Sequence, residues 1–343
     1  MLKKIILIIL VISTFSITTE SVFADDIKGY ILPEYYFVGN HHSGDNDNGG
    51  IEGQHGFWLR RIYFGYNTKI SDKFSARVRL EMNSAAFSES SIVPYIKNAH
   101  IKYKMNSGFS IIAGIIEPPS FNKIEKFWGY RFIEKTAPDF FKLASSRDFG
   151  IALDGKSKGG LSYTLMYGNY GSNKGEDNTG KAFYGRLGYS NKSMYVEANG
   201  HQAADGTKDI TYLAGFLGLK GNWGRFGGGY YYKRETPIEG DSKDTGIVSI
   251  HGTAKLSKME VFARYDHFLK EGLKDPSGFL PVSSKGQLAR FIIAGLMFKV
   301  HKMIKLSPNI KYVFYGDIDN SSKPSGSDLY FNLTAKISFK TGL

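Results

Sequence analysis

The segment Leu329–Lys340, LYFNLTAKISFK, alternates apolar and polar side chains without a break. Its odd positions are all apolar, whereas its even positions are polar or carry a polar tip. Successive side chains of a β-strand point to opposite faces, so the segment predicts a strand with one apolar and one wetted face. The same pattern recurs along the chain, with connections that alternate between short and long. This combination predicts an all-β fold, a transmembrane antiparallel β-barrel with lipid outside and water inside.

The alternating segments predict about sixteen strands, an even number typical of bacterial outer-membrane barrels. Scarce proline, abundant glycine and many aromatic residues fit curved strands with aromatic belts at the membrane interfaces. The predicted strands cover residues 27–38, 56–69, 73–85, 94–105, 109–117, 147–155, 160–170, 181–190, 193–203, 209–220, 223–235, 245–256, 259–269, 287–300, 303–315 and 328–340.

The connections between these strands support the same architecture. Tight turns such as Asn191-Lys192 and Gly221-Asn222 consist of residues that tolerate turn geometry. They alternate with long polar connections, which we expect to be extracellular, with the short turns periplasmic. A soluble sandwich or propeller, the less favoured alternative, gives no reason for this alternation. The predicted long connections are 39–55, 86–93, 118–146, 171–180, 204–208, 236–244, 270–286 and 316–327.

The N-terminus predicts export. A short basic start precedes the apolar run Ile5–Ile17, and Val22-Phe23-Ala24 offers small residues for cleavage after Ala24. We therefore expect a signal peptide over 1–24, a barrel domain over 25–343, and an outer-membrane location. The formal net charge of +12 indicates anionic partners. The absence of cysteine excludes disulfides and cysteine-based metal sites, and we expect no cofactor.

An ordered series of short segments occupies the first half of the chain. It comprises LRRIYFGY (59–66), FSARVRLE (74–81), IKNAHIKYK (96–104), IAGIIEPP (112–119), SSRDFGIAL (145–153), GLSY (160–163) and GKAFYGRL (180–187). In order and spacing this series resembles the phosphate-selective porin family, often called porin O and P, over about residues 57–190. One departure is the C-terminus, where Phe339 is followed by KTGL although such strands usually end on an aromatic residue. The resemblance implies a sixteen-stranded trimeric channel that passes small anions; phosphate or polyphosphate preference belongs to particular members.

Strand alternation assigns charged side chains to the lumen, because a charge on the lipid face near the midplane costs about 2–4 kcal/mol. With Val78 and Leu80 outward, Arg77, Arg79 and Glu81 face inward. The same reasoning applied to the other strands places inside Arg61, Tyr63, Asn98, His100, Lys102, Lys104, Arg186, Arg225, Lys233, His251, Lys255, Arg264, Lys311 and Lys336. Arg61, Arg77 and Arg79 cluster on adjacent strands, where Glu81 or an anion could lie between them. We expect Asp148 on the lumen side and Arg147 at the rim.

The connection 118–146 is long, aromatic and basic. An apolar segment of this size usually has a partner. By its position it is the third long loop, and we predict that it folds into the lumen with its rings on the inner wall. Its basic residues Lys123, Lys126, Arg131 and Lys135 would then meet the permeating ion. The alternative is a loop that covers a neighbouring subunit.

These residues together predict a channel for passive diffusion of small anions through a basic constriction. The predicted pathway residues are Arg61, Arg77, Arg79, Lys102, Lys123, Lys126, Arg131, Lys135 and Arg186. Alternatives are a general or sugar-permeable porin and a plugged structural or adhesive barrel. Scattered Ser, His and Asp residues predict no enzyme. The expected partners are small anions, membrane lipids and two further copies of the chain, with no nucleic acid, since the basic residues are spread over strand interiors.

Overall fold

The computed structural model describes residues 26–41, 51–83, 91–176, 178–270, 288–316 and 326–342. Sixteen antiparallel strands form a closed barrel in which each strand pairs with its sequence neighbours and β16 pairs with β1. This confirms the predicted fold class. The strands are β1 (Asp26–Asn40), β2 (His55–Lys69), β3 (Phe74–Asn83), β4 (Pro94–Lys104), β5 (Phe109–Ile116), β6 (Asp148–Lys156), β7 (Leu161–Gly168), β8 (Ala182–Ser190), β9 (Met194–Ala204), β10 (Lys208–Gly221), β11 (Gly224–Pro237), β12 (Lys243–Lys255), β13 (Met259–Lys270), β14 (Leu288–His301), β15 (Ile304–Gly316) and β16 (Ser327–Gly342).

Short turns join the strands at one end of the barrel, as the sequence predicts. At the other end, two connections predicted to be long are tight: β9 ends at Ala204 and β10 begins at Lys208, while β11 and β12 are separated by residues 238–242. Asp205 explains the first, because its carboxylate accepts hydrogen bonds from the backbone of Thr207 and Lys208. The predicted signal peptide and most of the connections near residues 45, 88, 278 and 321 lie outside the described residues.

The barrel exterior is apolar. Large hydrophobic side chains project outward from successive strands, among them Val78, Leu165, Leu213 and Phe331, each more than a third exposed. Such an exterior requires an apolar surrounding, which a lipid bilayer provides. No α-helix among the described residues is long and apolar enough to cross a membrane.

Two β-bulges interrupt the alternation on adjacent parts of the wall. In the β1–β2 pair, Leu32 lies opposite Arg61 but Pro33 lies opposite Leu59, so Arg60 is an extra residue. In the β3–β4 pair, Arg79 lies opposite Asn98 but Leu80 lies opposite Ile96, so Lys97 is extra. An extra residue re-aims the side chains around it. Consequently Arg60 and Arg61 are both buried inside the barrel, as are Lys97 and Asn98.

The connection between β5 and β6, residues 117–147, which we call the inner loop, folds into the lumen as predicted. It contains two short helices, α1 (Asn122–Trp128) and α2 (Ala137–Phe140). Gly129 ends α1 in the left-handed conformation with φ of 73°. A Cβ at this position would lie 2.5 Å from the Arg225 guanidinium, so a residue other than glycine would displace that side chain and strain the backbone.

Candidate functional site

The aromatic side of the inner loop packs against one half of the barrel wall, β9 to β14. Trp128 contacts His251 with ring centroids 5.0 Å apart, and Tyr130 contacts Phe262 at 4.4 Å. Phe140 stacks on Phe291 at 5.1 Å. The other contacts of this type join Phe127 to Phe216 and Phe141 to Phe268. These contacts confirm that the loop's rings pack on the inner wall of this half of the barrel.

Glycine in the wall makes room for one of these rings. A Cβ at Gly218 would lie 2.4 Å from the Phe127 ring, well inside van der Waals contact. Any other residue at this position would push the ring away from β10. The wall sequence is therefore matched to the shape of the loop.

Wall arginines hold the backbone of the inner loop. Arg225 donates to the Phe127 carbonyl at 2.9 Å, and Arg264 donates to the Lys135 carbonyl. Arg60 donates to the carbonyls of Phe132, at 3.0 Å, and Ile133. The sequence correctly places Arg225 and Arg264 inside the barrel, but they contact protein rather than lining an open lumen.

A buried ion network fixes the loop at Glu134. This carboxylate lies 3.3 Å from Arg60 and 3.0 Å from Lys311, and Arg60 also lies 3.4 Å from Glu34. The side chains are at most 1% exposed. Burial opposes ionisation of Glu134, but Lys311 and Arg60 outweigh it and lower its pKa. Charges removed from water this completely are stable only when paired, so the network ties the loop to β1, β2 and β15.

Three cavities in series lie on the opposite side of the inner loop, between it and the wall. The upper chamber, about 590 Å³, is at the long-loop end. The middle chamber is about 230 Å³, and the lower chamber, at the short-turn end, about 390 Å³. The upper and middle chambers are both lined by Lys97 and Arg147; the middle and lower chambers are both lined by Glu117 and Lys126. The chambers therefore adjoin one another in series, with the smallest in the middle, and we call this series the path.

Basic residues dominate the lining of this path. Among the described residues, twelve Lys and Arg side chains and four carboxylates line the three chambers. The basic residues are Arg77, Arg79, Lys97, Lys102, Lys123, Lys126, Arg131, Lys135, Lys142, Arg147, Lys174 and Arg186; the acids are Glu117, Glu125, Asp139 and Asp154. Positive charge facing water within low-dielectric walls attracts anions and excludes cations.

The arginines of the middle chamber are paired with acidic residues of the inner loop. Arg79 and Arg147 lie 3.5 and 3.2 Å from the same oxygen, Oε1, of Glu117. Arg131 lies 2.8 Å from Glu125 and 3.4 Å from Asp139. The guanidinium groups are thereby held in fixed positions in the smallest of the three chambers.

Lysines on helix α1 supply charge to the lower chamber. Lys123 and Lys126 lie one turn apart on this helix, and both are exposed into the lower chamber. Burial and the neighbouring Lys126 ammonium lower the pKa of Lys123. The loop therefore turns its rings towards one half of the barrel and its lysines towards the other.

The structure brings together eight of the nine predicted pathway residues. Arg77, Lys102, Lys123, Lys126 and Arg186 line the lower chamber, Arg79 and Arg131 the middle chamber, and Lys135 the upper chamber. Arg61 lines none of these three chambers, because its guanidinium is buried 2.9 Å from Glu81.

Two details of the sequence-based picture need correction. Glu81 does not separate the arginine cluster, since it pairs with Arg61 and Lys97 while Arg79 pairs with Glu117. Arg147, predicted at the rim, is buried and lines the upper and middle chambers. Asp148 lies inside as predicted, where it accepts from the Tyr184 hydroxyl at 2.8 Å.

Sequence reasoning missed Arg60 and Lys97, because strict alternation turns both outward. A signal was present for Arg60, since the consecutive charges Arg60-Arg61 cannot both face inward on a regular strand. Pro33 on the adjacent strand was a second signal, because proline within a sheet is found at edges and bulges. Lys97 offered no comparable signal.

The segment Gly155-Lys156-Ser157-Lys158-Gly159 has the spacing of a hydrolase nucleophile elbow, in which the serine lies between a strand and a helix. Here Ser157 lies in a turn between two strands, β6 and β7. Its hydroxyl accepts a hydrogen bond from the Leu161 backbone at 3.1 Å, as in an ordinary turn. The segment therefore does not have the strand–helix context that the motif requires.

No protein-family model and no curated protein sequence matches the chain. Solved structures do match its fold. An anion-selective porin from Comamonas acidovorans is 13% identical with a TM-score of 0.67, over 92% of this chain and 100% of that chain. OmpT of Vibrio cholerae, in a trimer form, is 15% identical with a TM-score of 0.64, over 93% and 100%.

The outer membrane channel DcaP of Acinetobacter baumannii is 12% identical with a TM-score of 0.64, over 94% of this chain and 99% of that chain. At such identities the likeness concerns the fold, and the narrower resemblance to phosphate-selective porins stays a prediction. The chain has the barrel fold of outer-membrane porins.

Proposed function

We propose that this chain is an outer-membrane channel for the passive diffusion of small anions. The observation that carries the proposal is the excess of basic over acidic side chains in three adjoining chambers between the inner loop and the wall. Fixed positive charge in a narrow, water-filled path favours anions over cations. The path needs no catalytic step, so we propose no enzymatic activity.

Each of the three chambers would have a different role in transport. The upper chamber, lined by Lys142 and Lys174, would collect anions from outside, and the lower chamber, lined by Lys102 and Lys123, would release them to the periplasm. The middle chamber, the smallest of the three, would select by size and by hydrogen bonding to its arginines. A preference for phosphate or polyphosphate would be a refinement of the same charge pattern.

The likeness to a trimeric OmpT and to an anion-selective porin supports a homotrimer in the outer membrane. In such an assembly each subunit would carry its own path, since all three chambers are bounded by residues of one chain.

Planar-bilayer recording of the purified barrel tests the proposal. Under a salt gradient, we expect the reversal potential to show anion selectivity, and added phosphate to reduce the chloride current if phosphate enters the path. A cation-selective or unselective current would contradict the anion proposal and leave a general porin. Absence of current in a folded trimer would favour the plugged structural barrel.

A further inference from the structure

Glu117 lies at the entrance of the inner loop, where the middle and lower chambers meet. It is one of four carboxylates in a path lined by twelve basic side chains, and two arginines contact one of its oxygens. These direct contacts indicate a more specific role for Glu117 than lowering the net positive charge of the path.

Glu117 is surrounded by cations. Its Oε1 atom lies 3.5 Å from Arg79 and 3.2 Å from Arg147, and Arg77 and Lys126 also face it. Burial opposes ionisation, but Arg147 and Arg79 outweigh it and lower the pKa of Glu117 to about 2. The carboxylate is therefore ionised at any physiological pH.

Glu117 is also accessible from the path. Its side chain is 28% exposed, compared with at most 1% for Glu134 in the network that holds the loop. Arg79 is 24% exposed and open to a solute in the chambers, whereas Arg147 is 6% exposed and becomes accessible when Glu117 moves away. Each guanidinium contacts the same carboxylate oxygen through one nitrogen, and guanidinium groups bind oxyanions in preference to a spherical ion.

We propose that Arg79 and Arg147 form a binding site for small carboxylate anions, which the side chain of Glu117 occupies as an internal competitor. A permeating carboxylate displaces Glu117 from the arginines, and Glu117 returns as the solute leaves. The competition keeps the site weak. A channel requires this property, because an anion that binds too tightly does not leave. The inference rests on the proposed anion channel and adds the class of solute and the residue that sets its residence time.

The test uses the full chain in planar bilayers, with acetate, inorganic phosphate and chloride as probes. Glu117→Gln retains the shape of the side chain but removes the competing charge. We expect the acetate concentration that gives half-maximal conductance to fall about tenfold, because acetate no longer displaces a charged hydrogen-bond acceptor. The maximal current should fall as well, since dissociation becomes slower. If the half-maximal concentration of chloride shifted as much as that of acetate, the assignment to carboxylates would be wrong. If the half-maximal concentration of phosphate shifted as much, the site would bind oxyanions in general, and the preference for carboxylates would be wrong.

Asp154→Asn is the matched control. Asp154 lines the lower chamber and accepts from Thr164 at 2.8 Å. If loss of one negative charge from the path explained the effect, both variants would shift the acetate curve equally, and the proposed site would be wrong. A second variant, Arg79→Gln, should weaken acetate binding; if it saturates like the wild-type protein, the site is overturned even if Glu117→Gln fails to fold.

Recordings of the wild-type protein distinguish a failure of the proposed function from a failure of the proposed role of Glu117. A cation-selective wild-type channel would refute the proposed function itself. An anion-selective wild-type channel whose saturation is unchanged by Glu117→Gln would refute only the role of Glu117.

Discussion

The two halves of the lumen use the same residue types for opposite purposes. On the side of β9 to β14, rings of the inner loop meet rings of the wall, and Arg225 and Arg264 donate to loop carbonyls. On the side of β3 to β8, arginines and lysines face open chambers. A basic side chain inside the barrel is therefore not by itself evidence for an ion pathway. What it contacts decides whether it supports the loop or meets the solute.

The largest effect should come from the packed half. Glu134→Gln leaves Arg60 and Lys311 buried beside a neutral group, which costs about 3–5 kcal/mol when one member of a buried ion network is removed. We expect a lower free energy of unfolding in denaturant and noisier single-channel current as the loop loosens. The double variant Glu134→Gln/Lys311→Met removes one stranded cation and should recover part of the loss. Unchanged stability in the single variant would show that the network does not hold the loop.

The tryptophans Trp128 and Trp223 allow a buried and an exposed side chain of the same type to be compared. Trp128 is fully buried in the packed half, whereas Trp223 is 54% exposed in a short turn. Trp128→Ala should destabilise the barrel by about 3–5 kcal/mol, since a large aromatic side chain leaves a cavity. Trp223→Ala should cost much less. Similar losses in thermal unfolding would mean that the inner loop contributes little to stability.

The open half should respond in selectivity rather than in stability. Lys123→Gln/Lys126→Gln removes two charges from the lower chamber. A unit charge at roughly 4 Å in water is worth about 1 kcal/mol, so the anion-to-cation permeability ratio should fall several-fold. The unfolding free energy should stay within about 0.5 kcal/mol of wild type, as for other solvated sites. Lys192→Gln, in the turn after β8, is the control for a charge outside the path. A double variant with wild-type selectivity would show that ions do not pass along helix α1.

The smallest expected effect is a dependence of anion selectivity on pH. Burial lowers the pKa of Lys135 to about 8, although the nearby Asp139 carboxylate favours its charged form. Lys135 is therefore charged below this pH and neutral above it. Anion selectivity should decline as the pH is raised through about 8. In Lys135→Gln this step should be smaller, and the anion selectivity should be lower at every pH below it. A step of the same size in the variant would assign the titration to another group.

The sequence predicts the barrel well because each strand carries its own evidence. Alternation in Leu329–Lys340 requires only that one face meets lipid and the other water, and strand pairing follows chain order. The inner loop is predictable for a similar reason, since seven aromatic residues in one connection need a partner surface.

The partners of individual charges are not predictable in this way. Whether Arg225 lines a path or holds the loop depends on where Phe127 ends up, which is a contact between residues 98 positions apart. The pairing of Glu117 with Arg79 and Arg147 likewise joins β3 to the two ends of the inner loop. Periodicity assigns a side chain to a face, but it carries no information about contacts across the lumen.

The bulges at Arg60 and Lys97 have a consequence for the evolution of the lumen charge. Before the first bulge Phe57 faces outward and Trp58 inward, and after it Tyr63 faces inward and Phe64 outward. Gaining or losing one codon at such a place adds or removes a cation inside the barrel while the rest of the strand keeps its apolar face on the lipid. A single-residue insertion or deletion in a membrane-spanning strand usually destroys its alternation. At a bulge it instead changes the number of charges in the lumen and leaves the lipid-facing side chains in place.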